Sequence, residues 1–395
     1  MIRNILFLYV SDVFRVIAGI FAGVLIVRTL TGIEFVDLMR VQAIMGICSA
    51  APFFLFDQFL IKDYENNHRT DAFLNILVFK LKLCLLCMAG SIVFVGIMFP
   101  NLFSLYLIIS LNFLIIPIHS LKFFDLLSGR AERFSKCMMV MYNFQLISII
   151  IVAILAPTVQ NFVILNVVDN VVLLLAMIFF FRSDIRELRA NDIFIYEKKH
   201  PQFNPRRGLI IFTTGVVDQL LPRFLLLISP YFHTVQSQTS FAIFTRLTDS
   251  VYSALNSLNM AVFLRFIDQK EDAMPSKLTS LIYSVFIAVI LLLILTYGKS
   301  IIYLLYDYEV SQDSFGLDYF LVAFPIILVL KFIVSDQTGD GSIDKLSFLI
   351  FCIVGITILF FAVTSYYLID TQHYGLVFSG LLAMYLVYNI YFWSR

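Results

Sequence analysis

The chain has 395 residues, of which 60% are hydrophobic and 14% charged, with a mean hydropathy of +0.91 and a formal net charge of +1. Soluble domains are about 45–50% apolar and about 25% charged, so this excess argues against a soluble enzyme, a nucleic-acid binder and a secreted disulfide scaffold. What remains is an all-α polytopic membrane protein, with room for about twelve spans of ~20 residues each.

The first predicted span covers residues 5–27. It is too long and too charged for a signal h-region, and no small-residue cleavage site follows, so it reads as a retained helix. A second span covers 38–60. Leu83 to Leu121 contains no Asp, Glu, Lys or Arg and is divided by Phe99-Pro100-Asn101 into spans three and four. Cys137 to Val168 is equally uncharged, and Pro157-Thr158-Val159-Gln160-Asn161 separates span five from span six, at 161–181. Ser183 to Arg207, with Pro201 and Pro205, reads as a linker along the membrane surface. Six further spans follow at 209–231, 238–263, 278–298, 317–335, 346–369 and 374–394. The expected architecture is therefore two six-helix lobes, 1–182 and 208–395, joined by 183–207 and enclosing a central cavity.

Positive charge supports that count. With the N-terminus in the cytoplasm, 22 of the 28 Lys and Arg residues fall on the cytoplasmic side, Arg28 and Lys299 fall outside, and four lie deeper in helices. Cytoplasmic loops carry the excess of Lys and Arg in membrane proteins, so both termini are expected to be cytoplasmic. The extracytoplasmic connections are short, which leaves no room there for a catalytic domain.

The halves also look repeated. An offset of 206 residues places Asp12 on Asp218, Phe35 on Phe241 and Arg40 on Arg246. The last two pairs form a shared Phe-x-x-x-x-Arg at the start of spans two and eight, and an even number of spans per half makes the repeats parallel.

Charges inside spans are costly, about 2.5–3.5 kcal/mol at a helix centre, so each needs a partner or a water-filled cavity. Asp12 and Arg15, and Arg246 and Asp249, are three residues apart and share a helix face. They read either as intrahelical ion pairs or as the lining of a polar, partly cationic cavity. Arg246 has an acidic neighbour one turn on, whereas Ala43 stands at the matching position after Arg40. Arg40 is therefore the first candidate to offer guanidinium donors to an anion, followed by Arg246, Arg15 and Arg223. The planar guanidinium fork suits phosphate oxygens. Asp12, Asp218, Asp249 and Asp169 are candidates for charge pairing or ion coupling, Asp169 being the most central. Asp57, Lys331 and Asp336 read as interfacial. Pro52, Pro117, Pro222, Pro230 and Pro325 fall within spans, where each removes a backbone hydrogen bond.

The remaining chemistry is sparse. The five cysteines (Cys48, Cys84, Cys87, Cys137, Cys352) lie in or beside apolar stretches and read as packing, the Cys84-x-x-Cys87 spacing included. The five histidines are scattered. No Walker-type glycine loop, Ser-His-Asp arrangement or metal-ligand cluster is evident, so no cofactor or metal and no enzyme chemistry is expected. Energy for transport would come from ion gradients or from consumption of the product.

Against this background Arg28-Thr29-Leu30-Thr31-Gly32-Ile33-Glu34-Phe35 resembles the Arg-x-Leu-Gly-x-x-x-Phe/Tyr-Gly signature of Wzx-type polysaccharide flippases, in the multidrug/oligosaccharidyl-lipid/polysaccharide exporter superfamily. It departs at Thr31 and Val36, where the family usually has glycine. The stretch Phe56 to Asp63 resembles the segment that closes span two there, Tyr297 to Tyr306 the span-nine exit, and Gly375 to Gly380 the last span. The resemblance implies a two-lobed transporter with a V-shaped cavity and an undecaprenyl-diphosphate-linked oligosaccharide, an O-antigen or similar repeat unit, as substrate. It further implies a bacterial inner-membrane location, membrane lipid around the polyprenyl tail, and a polysaccharide polymerase and chain-length regulator as partners. Two other classes remain open on the residues alone: a membrane-embedded glycan polymerase, disfavoured by the short outside loops, and a cation-coupled drug antiporter of the same superfamily.

Overall fold

The computed structural model describes residues 2–67, 70–117, 131–180, 223, 226–227, 234–247, 300 and 302–307. Every regular element among them is helical. Helix α1 is Ile2–Thr29, α2 Gly32–Asn67 and α3 Thr70–Met98. A 3-10 turn at Pro100–Leu102 leads into α4, Phe103–Ser110, which tightens into a second 3-10 segment, Leu111–Leu114. Helices α5, Ala131–Leu155, and α6, Val159–Phe180, complete the described first half. A further helix runs through residues 235–247 and a short one through 302–306.

Three segments among the described residues are long and apolar enough to cross a membrane: Leu77–Met98, Ser135–Leu155 and Val159–Phe180. Their outward faces show why they require lipid. On α6, Ile164, Val168, Val171, Leu175 and Ile178 recur at helical spacing and are all exposed, whereas Phe162, Leu165, Leu173 and Met177 on the other side are buried. An apolar stripe of that length, on a helix long enough to cross a membrane, suits acyl chains rather than water. Helices α1 and α2 are as long but carry charged residues toward both ends, with uncharged stretches at 16–27 and 41–56 between them.

Breaks between helices fall where proline and turn residues place them. Helix α3 stops at Met98 and Pro100 opens the next turn, proline being suited to a first helical position. Ala156–Thr158 divides α5 from α6, as the uncharged Pro157 segment predicts. Pro52, by contrast, does not end α2; 36 residues at 1.5 Å make that helix about 54 Å long, well beyond the predicted 38–60.

Two features of the packing differ from expectation. Helix α1 packs chiefly against α5 and barely touches its chain neighbour α2; small Ala18 and Ala22 on its buried stripe permit the close approach. Lys80, one of the 22 Lys and Arg residues expected on the cytoplasmic side, is completely buried. It shares one stripe of α3 with buried Cys84, Ser91 and Val95, because α3 begins at Thr70, well before the predicted start of span three at Leu83.

The chain divides into two compact units, one of Met1–Leu227 with Asp249–Leu258 and one of Ile228–Thr248 with Asn259–Arg395. The expected linker at 183–207 and the expected spans at 278–298, 317–335, 346–369 and 374–394 lie outside the described residues.

Candidate functional site

The most informative cationic site is on the first three turns of α2. Thr31 caps the helix: its hydroxyl accepts from the Glu34 backbone N–H at 3.4 Å, and the Glu34 carboxylate accepts from the Thr31 N–H at 3.0 Å and from its hydroxyl at 2.8 Å. This reciprocal arrangement is a capping box. It holds the exposed Glu34 carboxyl below its ordinary value, chiefly through the Thr31 backbone N–H. Thr31 thus fixes where α2 begins.

Beyond the cap, Phe35, Val36, Leu38 and Met39 are buried, while Ile33 is exposed and Asp37 and Arg40 are half-buried. Ile33, Asp37 and Arg40 follow helical spacing, so they form one open strip, closed below Arg40 by buried Ile44. Arg40 Nη1 donates to Asp37 Oδ1 at 3.5 Å, a long contact. The Arg40 guanidinium carbon lies 5.7 Å from the centre of the Phe99 ring, within cation–π range. Arg40 Nε is buried and makes no hydrogen bond. Arg40 sits about 12 Å along α2 from its first residue and beside the α3–α4 turn, so it lies toward the end of the bundle where these turns gather.

No carboxylate stands one turn after Arg40, where the sequence has Ala43. The carboxylate partner of Arg40 is Asp37, one turn before it. The contact is long and both side chains are partly exposed, so water screens the pair and most guanidinium donors are unused by it.

The other predicted residues are dispersed. Asp12 and Arg15 both lie on α1. Arg15 is exposed, although it shares the stripe of buried Ala18, Ala22 and Ile26. Arg223 is helical and its guanidinium lies against Gly46 of α2. Gly46 is six residues beyond Arg40, about 9 Å along the axis and a third of a turn around it, so the two arginines meet α2 at different depths. Asp169 is buried on α6 and accepts a hydrogen bond from the Ser148 hydroxyl at 3.2 Å. Arg246 lies in the second compact unit, where its charge acts on buried Tyr306. Asp218 and Asp249 lie outside the described residues.

Several polar residues were not legible as site members. Asn112 donates to the Asn166 side-chain carbonyl at 2.7 Å and accepts from Asn170 at 3.1 Å, tying the 3-10 segment after α4 to α6. Their amides appear in the sequence only as three uncharged polar residues within spans. Asp37 was visible at i−3 from Arg40, whereas Phe99 and Gly46 could be linked to the arginines only through tertiary contacts. Among the described residues no group of His, Cys, Asp or Glu could hold a metal ion.

No protein-family model and no curated protein matches the sequence. A solved structure does match: an inward-facing multidrug resistance MATE family transporter of the MOP superfamily, at a TM-score of 0.55 and 12% identity, covering 92% of this chain and 88% of that one. The likeness is one of fold. With the lipid-demanding stripes on α3, α5 and α6, it makes this chain a helical membrane protein with the architecture of that transporter.

Proposed function

We propose that the protein is a flippase that moves an undecaprenyl-diphosphate-linked oligosaccharide across the bacterial inner membrane by alternating access, from the cytoplasmic to the periplasmic leaflet. The observation that carries the reading is Arg40: a guanidinium with one long contact to Asp37, a stacking contact to Phe99 and a buried Nε that makes no hydrogen bond. A buried donor without a partner is costly, and a diphosphate oxygen would satisfy it. Arg15, Arg223 and Arg246 would supply further contacts to the anionic head, while the polyprenyl tail stays in lipid. The transporter-like fold favours this reading over a glycan polymerase. A polymerase and a chain-length regulator would act on the delivered repeat unit.

The test is uptake of undecaprenyl-diphosphate-linked saccharide into proteoliposomes, with membrane insertion monitored separately. Loss of a hydrogen bond to a charged group is worth about 1.5–3 kcal/mol, so Arg40→Ala is expected to raise KM by about 10–100-fold. Unchanged transport by both Arg40→Ala and Arg246→Ala would overturn the assignment.

A second reading is a cation-coupled drug antiporter, favoured by the similarity to a multidrug resistance transporter and by the buried carboxylate of Asp169. Under that reading the wild-type protein moves small organic cations and no lipid-linked saccharide, and Asp169→Asn abolishes the movement.

A further inference from the structure

Asparagine is costly in a membrane-spanning helix unless its amide finds partners, yet α6 carries two, Asn166 and Asn170, one turn apart. Both meet Asn112 of the 3-10 segment after α4. Asn112 Nδ2 donates to Asn166 Oδ1 at 2.7 Å, and Asn170 Nδ2 donates to Asn112 Oδ1 at 3.1 Å and to the Asn166 backbone carbonyl at 2.9 Å. A further contact, from Asn170 Nδ2 to Asn166 Oδ1, is long at 3.5 Å. This knot leaves two groups over. Among the described residues, Asn166 Nδ2 donates to nothing and Asn170 Oδ1 accepts from nothing.

Neither spare group is sealed in. The buried side-chain atoms without a partner among the described residues are Arg40 Nε, Tyr106 Oη, Ser135 Oγ, Ser237 Oγ and Tyr306 Oη. Asn166 Nδ2 and Asn170 Oδ1 are not among them, so both are reached from outside the packed protein. Val163, Leu173 and Met177 are buried on the same stripe of α6, while Asn166 and Asn170 between them are half-buried. The exposed apolar stripe through Ile164, Val168, Val171 and Leu175 lies about half a turn away. The spare atoms therefore open on the inner face of α6, the face that packs on its neighbouring helices, and not on lipid. They stand about 10–17 Å from the start of a 22-residue helix, near its middle.

A neutral donor beside a neutral acceptor suits a hydroxyl, which both donates and accepts. We propose that Asn166 and Asn170 bind the sugar of the cargo through neighbouring hydroxyls, with Asn112 holding both amides in place. The inference rests on the lipid-linked saccharide reading above. It assigns the sugar to uncharged amides and leaves the diphosphate to the arginines.

In proteoliposomes, the wild-type protein is expected to take up undecaprenyl-diphosphate-linked N-acetylglucosamine with a lower KM than bare undecaprenyl diphosphate. Asn166→Asp keeps an oxygen to accept from Asn112 and loses the spare N–H. Asn170→Leu loses the spare carbonyl and keeps the Asn112–Asn166 hydrogen bond. Each should raise KM for the saccharide-bearing lipid by about 3–10-fold, the loss of one hydrogen bond, and leave KM for the bare lipid within about 1.5-fold. A general packing defect would move both KM values together, and either variant alone decides if the other fails to insert. No preference in the wild-type protein, a preference that survives substitution, or equal shifts for the two lipids overturns the proposal. Failure of the underlying reading looks different: the wild-type protein then moves no saccharide-bearing lipid at all, and the assignment of the sugar falls with it.

Discussion

The start of α2 and the helix over 235–247 carry the same Phe-x-x-x-x-Arg and use it differently. Both phenylalanines are buried to within 1% of completely, and both helices are capped by threonine, Thr31 and Thr234. From cap to phenylalanine, however, the first helix needs four residues and the second seven, almost one full turn more. Arg246 thus sits about 4.5 Å further from its cap than Arg40 does. The surroundings diverge as well. On α2 a strip through Ile33, Asp37 and Arg40 stays open, whereas Ser237 to Thr245 is buried on every side. A short repeated pattern therefore specifies a packing anchor, and the local environment decides what the arginine five residues later can reach.

Three substitutions probe that contrast, from the largest effect to the smallest. Phe35→Ala and Phe241→Ala should each cost about 3–5 kcal/mol, the loss expected for a buried aromatic. Equal losses on reversible unfolding would sharpen the anchor assignment, and a loss below about 1 kcal/mol at either site would break it. Next, Ala242→Leu should cost about 1–3 kcal/mol by overpacking, because residues 237–245 present no open face. Ile33→Leu, on the open strip, should stay within about 0.5 kcal/mol. If the two changes proved equally mild, the difference in enclosure would be wrong.

The smallest effect concerns the caps. Removal of either threonine side chain should cost about 1 kcal/mol at neutral pH. Glu34 stands three residues after Thr31, where Ser237 stands after Thr234. The Glu34 carboxyl is held below its ordinary value of 4.5, so its contribution is complete above that value and fades as pH falls through its lowered folded value. The cost of Thr31→Ala should accordingly shrink in acid, while that of Thr234→Ala should not change with pH. Stability curves for the two variants between neutral pH and pH 3 would check this directly.

Much of the helical framework was legible because its signals are local. The Phe99-Pro100 break, the Pro157 break and the apolar runs around them needed only hydropathy and proline stereochemistry. The lengths of α2 and α3 were underread: charged residues at a helix end look like loop, yet α3 carries Lys80 on the buried stripe of Cys84 and Ser91. The arginines were recognised as candidates from their cost in lipid. Their partners were not recognised, because only the i+3 positions of Arg40 and Arg246 were compared, and because Phe99 and Gly46 are distant from Arg40 and Arg223 in sequence.

From its sequence alone this protein was determined to be helical, lipid-immersed and provided with arginines that require an anion, water or a carboxylate, since composition, periodicity and the cost of burying charge are properties of short segments. Only the tertiary structure decided that α1 packs on α5, that three asparagines tie α4's 3-10 extension to α6, and that Arg40 leans on Phe99 while Arg223 lies on Gly46. Those outcomes depend on which helix faces which, and helix–helix packing in lipid turns on close approach between small residues, for which a single sequence carries no distance information.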